Sequence, residues 1–114
     1  MGVRLSLVVV RAANLEKSRV FYESLGLRLS RERHGTGPAH LAAEVDGCVF
    51  EVYPRGDGPS SAGVRLGFRV ESVAAAVAAT QGVGAEVAAP PADGPWGVRA
   101  VVVDPDGHRV EITQ

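Results

Sequence analysis

Two segments of this chain recur in the same order at nearly the same spacing. Asp46-Gly47-Cys48-Val49-Phe50-Glu51-Val52 is matched 60 residues later by Asp106-Gly107-His108-Arg109-Val110-Glu111-Ile112. Upstream, Val10-Arg11-Ala12-Ala13-Asn14-Leu15 is matched 58 residues later by Phe68-Arg69-Val70-Glu71-Ser72-Val73, and Leu25-Gly26-Leu27 by Val83-Gly84-Ala85. An internal repeat restricts the chain to architectures built from one unit used twice. With 114 residues in all, each unit is too small to bury a full core alone, so the two share one domain.

The two halves carry the same succession of local signals. Residues 3–11 form a Val-rich apolar run that reads as a strand. Asn14 is a helix N-cap, with a helix over about 15–24 whose apolar side is Leu15, Val20, Phe21 and Leu25, ended by Gly26. Strands follow near 27–34, 39–45 and 48–53, the last two joined by the Asp46-Gly47 hairpin turn. The second half predicts a strand near 64–70, a helix over 73–81 capped by Ser72, and strands near 85–88, 98–103 and 108–113. Pro90-Pro91-Ala92-Asp93-Gly94-Pro95 reads as a loop leading to Trp96. The predicted fold class is α+β: two βαβββ modules related by a pseudo-two-fold, within one domain over residues 1–114. Module 1 covers about 3–54, a linker 55–62 and module 2 about 63–113.

Composition removes several classes of function. The formal net charge is -1, from 12 Lys+Arg and 13 Asp+Glu, so the chain lacks the basic surface that nucleic acid requires. A single cysteine, Cys48, excludes an internal disulfide framework and Cys-rich zinc motifs. No apolar stretch approaches the ~18 residues of a membrane span, and the amino terminus lacks signal-peptide architecture. The expectation is a cytoplasmic protein with neither nucleic acid nor membrane as partner.

Asn14-Leu15-Glu16-Lys17-Ser18-Arg19-Val20-Phe21-Tyr22, Leu25-Gly26-Leu27 and Asp104-Pro105-Asp106-Gly107-His108-Arg109-Val110-Glu111 together resemble the vicinal oxygen chelate superfamily. That group includes glyoxalase I, bleomycin resistance proteins and extradiol dioxygenases. The resemblance covers essentially the whole chain. It implies that each module's strands curl into a cup and that paired modules enclose a ligand. It also implies a homodimer, because such chains often complete the cup with a second copy. Isomerases, dioxygenases, thiol transferases and drug binders share this fold, so the reaction has to be argued from the site.

Strand alternation selects the cup-facing side chains. Phe50, Val52, Val110 and Ile112 should face the helices. Val49, Glu51, Tyr53, Arg109, Glu111 and Thr113 then face the cup, as do Arg65, Gly67 and Arg69. His40 shares the cup face with Ala42 and Glu44, and Trp96 is placed to stack on a ligand ring. Metal-dependent members use an early donor in the first strand of each module and a late Glu in the last. Glu51 and Glu111 match the late positions. The early positions, eight residues before Leu15 and Val73, hold Leu7 and Arg65. Leucine has no donor atom and arginine is a fixed cation. Arg65 beside Glu51 or Glu111 would supply the charge that a metal would otherwise bring.

The expected function is therefore binding of a small, partly aromatic molecule without a metal or other cofactor. The ligand site is expected at His40, Glu51, Tyr53, Arg65, Trp96 and Glu111. The alternative is a metal-dependent lyase, isomerase or dioxygenase whose divalent metal sits in a rearranged site of Glu51, Glu111 and His40.

Overall fold

Asn14 and Ser72 each end an extended segment and start a helix. In the computed structural model, which describes residues 2–114, Asn14 Oδ1 accepts the Lys17 N–H at 3.0 Å and Ser72 Oγ accepts the Ala75 N–H at 3.1 Å. These bonds satisfy backbone donors that the first helical turn leaves open. The helices are α1 (Leu15–Ser24) and α2 (Val73–Gly82). Gly26 and Gly84, at φ 114° and 92°, turn the chain out of each helix in a conformation that side chains disfavour.

Eight strands surround them: β1 (Leu7–Ala12), β2 (Ser30–Glu32), β3 (His40–Val45), β4 (Cys48–Pro54), β5 (Leu66–Arg69), β6 (Glu86–Gly94), β7 (Gly97–Val103) and β8 (Arg109–Thr113). They form two four-stranded sheets in the orders β1-β4-β3-β2 and β5-β8-β7-β6. In each, the first strand pairs in parallel with the last and the other pairings are antiparallel. The fold is thus two repeated βαβββ modules. The tight turn at Asp46 (φ 51°) and Gly47 (φ 82°) has the left-handed geometry of a two-residue hairpin.

Three local expectations change. β1 starts at Leu7, not residue 3, because its ladder with β4 starts at the pair Leu7↔Val49. The Pro90–Pro95 segment is not a free loop. β6 runs through Pro90 and Pro91 to Gly94, with register shifts between Val87 and Ala89 and between Ala89 and Ala92. β6 is an edge strand, and bulges at an edge are where proline's missing N–H is tolerated. On α1, Val20 is exposed, and Ser18, Phe21 and Tyr22 are buried.

The helix-facing sides of both sheets merge into one core. Val10, Leu41, Phe50 and Val52 lie beneath α1, and Leu66, Ala100, Val102, Val110 and Ile112 beneath α2. Tyr22 joins the two halves. Its ring centroid lies 5.0 Å from Phe50 and 6.3 Å from Phe68, and Phe50 meets Phe68 edge-on at 5.8 Å. Its hydroxyl, fully buried, donates to Asp104 Oδ2 at 2.6 Å. The same carboxylate oxygen lies 2.7 Å from His108 Nδ1, and Asp104 Oδ1 accepts the N–H groups of Asp106 and His108. His108 Nε2 lies 2.7 Å from Ser61 Oγ, which accepts the Arg11 N–H at 2.8 Å. A single carboxylate thereby ties α1, the linker and the β7–β8 turn together.

Charge states follow from that geometry. Burial pushes the Asp104 carboxyl up, but the hydrogen bonds from His108 and Tyr22 outweigh it and hold it below the usual carboxylate range. The hydrogen bond to Asp104 raises His108 against the opposing effect of burial. Burial, then the Asp104 charge, pushes the Tyr22 phenol far up, so it stays a donor. The order Ser61–His108–Asp104 is that of an acyl-transfer triad. Here the imidazole is only 1% exposed, and the hydroxyl is held by the backbone of β1, so the set acts as a latch.

Candidate functional site

The sheet faces turned away from the helices carry the polar side chains. In module 1 the register Val9↔Glu51 and Arg11↔Tyr53 sets β1 beside β4, and Ala42↔Glu51 sets β3 on its other side. Tyr53 consequently lies between Arg11 and His40. The His40 ring stacks on Tyr53 at 4.2 Å with planes 7° apart, and the Arg11 guanidinium lies 5.3 Å from the Tyr53 centroid. His40 Nε2 lies 3.5 Å from Glu51 Oε2, whose side chain is 14% exposed. Three of the predicted residues, His40, Glu51 and Tyr53, are therefore one cluster.

Module 2 repeats the arrangement with different chemistry. Glu111 pairs across the sheet with Gly67 and Val101, and Arg99 pairs with Thr113. Arg99 occupies the place that His40 holds in module 1, and its Nε is hydrogen-bonded to Glu111 Oε1. The cation beside Glu111 is thus Arg99, not Arg65. Arg65 is exposed just ahead of β5, and no ion pair among the described residues joins it to either glutamate. Gly67 lies beside Glu111, and a Cβ there would meet Glu111 Oε2 at an ordinary contact distance of 3.9 Å. Trp96 caps the turn between β6 and β7 and is 94% exposed.

Glu51 and Glu111 lie on different sheets, and neither lines the best-formed grooves among the described residues. One groove of about 500 Å³ is lined by α1 residues such as Lys17 and Val20 together with Val83 and Val103. Another, of about 890 Å³, lies between Leu25, Ala43, Phe68 and Ala75. Both lie along the seam between modules. The cup faces instead stand open, with Leu7, Val9 and Val49 forming an exposed apolar strip beside Glu51. The faces differ in charge. Module 1 carries Glu32, Glu44 and Glu51 against Arg11 and His40, whereas module 2 carries Arg69, Arg99 and Arg109 against Glu86 and Glu111.

The four positions that hold a metal in metal-dependent relatives do not suit one here. Leu7 offers no donor atom, Arg65 is a cation, and the Glu111 carboxylate is already engaged by Arg99. The rearranged set of His40, Glu51 and Glu111 is only half assembled, since Glu111 lies on the other sheet. Sequence reasoning missed Arg99, Arg11 and Glu32. Arg99 is 59 residues from His40, a spacing between the two visible repeats, because the bulges of β6 and a longer β7–β8 turn shift the register.

A two-module α+β chain with a glutamate late in each final strand defines a class, and sequence comparison identifies it. Residues 4–112 match the Glyoxalase/Bleomycin resistance protein/Dioxygenase superfamily, and the chain belongs to it. Among solved structures it is similar to TnmS3, an antibiotic binding protein from Streptomyces sp. CB03234, at 28% identity and a TM-score of 0.76, covering 98% of this chain and 95% of that one. A glyoxalase/bleomycin resistance protein from the same Streptomyces strain is also 28% identical, with a TM-score of 0.73 over 97% of this chain and 100% of that one. A glyoxalase-related enzyme from Fulvimarina pelagi shares the fold at 21% identity and a TM-score of 0.75, covering 96% and 86%. No curated protein matches the chain significantly. Among the described residues, no helix is long and apolar enough to cross a membrane.

Proposed function

We propose that the chain binds a small molecule with a planar aromatic part and an anionic or other polar oxygen, in a cup formed by the open sheet faces, without using a metal at the superfamily's shared four-ligand position. The observation that carries this reading is the replacement of that position's donors by Leu7 and Arg65, with Glu111 neutralised by Arg99. Apolar strips with a few convergent polar groups are the usual composition of a ligand site. Leu7, Val9, Val49 and Tyr53 supply the apolar wall, while Arg11, Arg99, His40, Glu51 and Glu111 supply orientation. Similarity to an antibiotic binding protein supports the same direction. Arg65 and Trp96, both exposed in the single chain, are assigned to the rim of the closed cup.

The cup is completed by a second copy. Leu7 (51% exposed) and Val49 (37%) form a contiguous apolar surface that a monomer would leave in water. The acidic face of module 1 and the arginine-rich face of module 2 are complementary, so a two-fold dimer would set one against the other twice. The test is calorimetric titration with anthraquinone-2-carboxylate and a panel of smaller aromatic carboxylates. Saturable binding that Arg99→Ala weakens by roughly 1.5–3 kcal/mol supports the reading. Binding that is unchanged in both Arg99→Ala and Tyr53→Ala would remove the cup from consideration.

A further inference from the structure

We infer that the outer edge of module 1 is a binding site for a divalent transition-metal ion of the zinc type, held by Glu32, His34 and His40, with Glu51 adjoining His40. The site differs from the superfamily's shared position, because it uses one sheet only and takes its donors from β2, the β2–β3 turn and β3. It goes beyond the small-molecule reading and does not rest on it.

The buried imidazole of His40 carries the argument. The residue is 1% exposed, and its Nε2 is a buried polar atom without a hydrogen-bond partner. Such an atom is costly unless something satisfies it. Its other nitrogen, Nδ1, lies 3.2 Å from the Pro38 carbonyl, so the proton belongs on Nδ1. That contact directs the Nε2 lone pair toward the carboxylates, as backbone carbonyls do for metal-bound histidines. Around Nε2 the donors converge. Glu32 Oε1 lies 3.6 Å from it, Glu51 Oε2 3.5 Å, and Glu32 Oε1 lies 3.3 Å from His34 Nε2. The ligand atoms of Glu32, His34 and His40 all lie within 4.8 Å of one another.

The separations among Glu32, His34 and His40 fit three ligands of a tetrahedral ion, which leaves one position for water. Donors about 2.0–2.1 Å from zinc stand roughly 3.4 Å apart at tetrahedral angles. Two imidazoles with carboxylate oxygens favour zinc-like ions over calcium or magnesium, which prefer all-oxygen shells. Stacking on Tyr53 fixes the His40 ring, and the exposed His34 and half-exposed Glu32 give the ion a path from solvent. An ion here would also neutralise Glu51 on the cup wall.

The test is calorimetric titration of tag-free protein with Zn²⁺, together with Co²⁺ absorption as a report of tetrahedral geometry. One ion per chain and the intense visible bands of tetrahedral Co²⁺ are expected. His40→Ala removes the buried ligand, but it also empties a packed position. His34→Ala, at a side chain 72% exposed, tests the site without touching the core. His34→Ala and Glu32→Gln should each weaken Zn²⁺ binding roughly tenfold or more, while melting without metal is unchanged. Glu44→Gln, on the same strand and outside the site, should leave Zn²⁺ affinity as it is. No stoichiometric binding by the parent, equal binding by parent and His34→Ala, or equal weakening by Glu44→Gln would each overturn the inference.

Discussion

Changing Tyr22 to phenylalanine removes one hydroxyl from the seam between the modules and nothing else. The ring remains, with its edge contacts to Phe21 at 4.8 Å and Phe50 at 5.0 Å. The 2.6 Å hydrogen bond to Asp104 is lost. Hydrogen bonds to a charged acceptor contribute about 1.5–3 kcal/mol. Asp104 keeps three other donors, His108 Nδ1 and the N–H groups of Asp106 and His108, so its charge is not stranded. The cost therefore falls at the lower end of that range, about 1.5–2 kcal/mol. At about 2.1 cal/mol/K per residue, 114 residues give an unfolding entropy near 0.24 kcal/mol/K, so Tm should drop by about 6–8 °C. Scanning calorimetry at fixed protein concentration measures it, and urea unfolding at 25 °C checks the free energy. A loss below about 0.5 kcal/mol would show that this buried bond does not tie the modules together.

Titration of the same cluster should shape the stability profile. His108 is raised in the folded state, so its contribution is full below about pH 6.5 and is lost as pH rises through its folded value; Asp104 is lowered, so its contribution is full above about pH 4 and is lost as pH falls through its folded value. The stability gap between the parent and His108→Asn, from urea unfolding across pH, should be widest between those limits, and a flat gap would contradict the assignment. Leu7→Lys, at a position 51% exposed, should leave the far-ultraviolet circular dichroism spectrum unchanged and convert the proposed dimer to monomer by light scattering; a monomeric parent would refute the proposed closure. Glu111→Gln should change Tm little, because its pair with Arg99 is partly solvated and contributes at most about 1 kcal/mol, while altering affinity in the aromatic-carboxylate titration.

Much of the fold was legible because the chain states it twice. Asn14 and Ser72 mark both helix starts, Gly26 the first exit, and Glu51 and Glu111 the same place in both final strands. Strand alternation also separated Phe50, Val52, Val110 and Ile112, all buried, from the open faces. The illegible parts depend on register and tertiary contact. Bulges in β6 carry Pro90 and Pro91 through an edge strand, and no local propensity announces that. The same bulges shift Arg99 off the repeat spacing, whereas sequence assigns Arg65 to the glutamates from its place eight residues before Val73. Tyr22 is fully buried because Asp104, 82 residues away, receives its hydroxyl, a pairing that helical periodicity alone does not reveal. Glu32 and His34 gain meaning only when β2 folds back beside β3 and brings them to His40.

The central claim is that each ligand site combines module 1 of one copy with module 2 of its partner, and subunit mixing tests it most directly. Tyr53→Ala damages only the module 1 face, and Arg99→Ala only the module 2 face. Each variant alone should bind anthraquinone-2-carboxylate poorly. In a mixed dimer, the intact module 1 of the Arg99→Ala chain meets the intact module 2 of the Tyr53→Ala chain and rebuilds one complete cup. With random exchange, an equimolar mixture should recover about a quarter of the parent's sites at parental affinity. Mixing that restores no high-affinity sites, despite demonstrated subunit exchange, would contradict the shared cup.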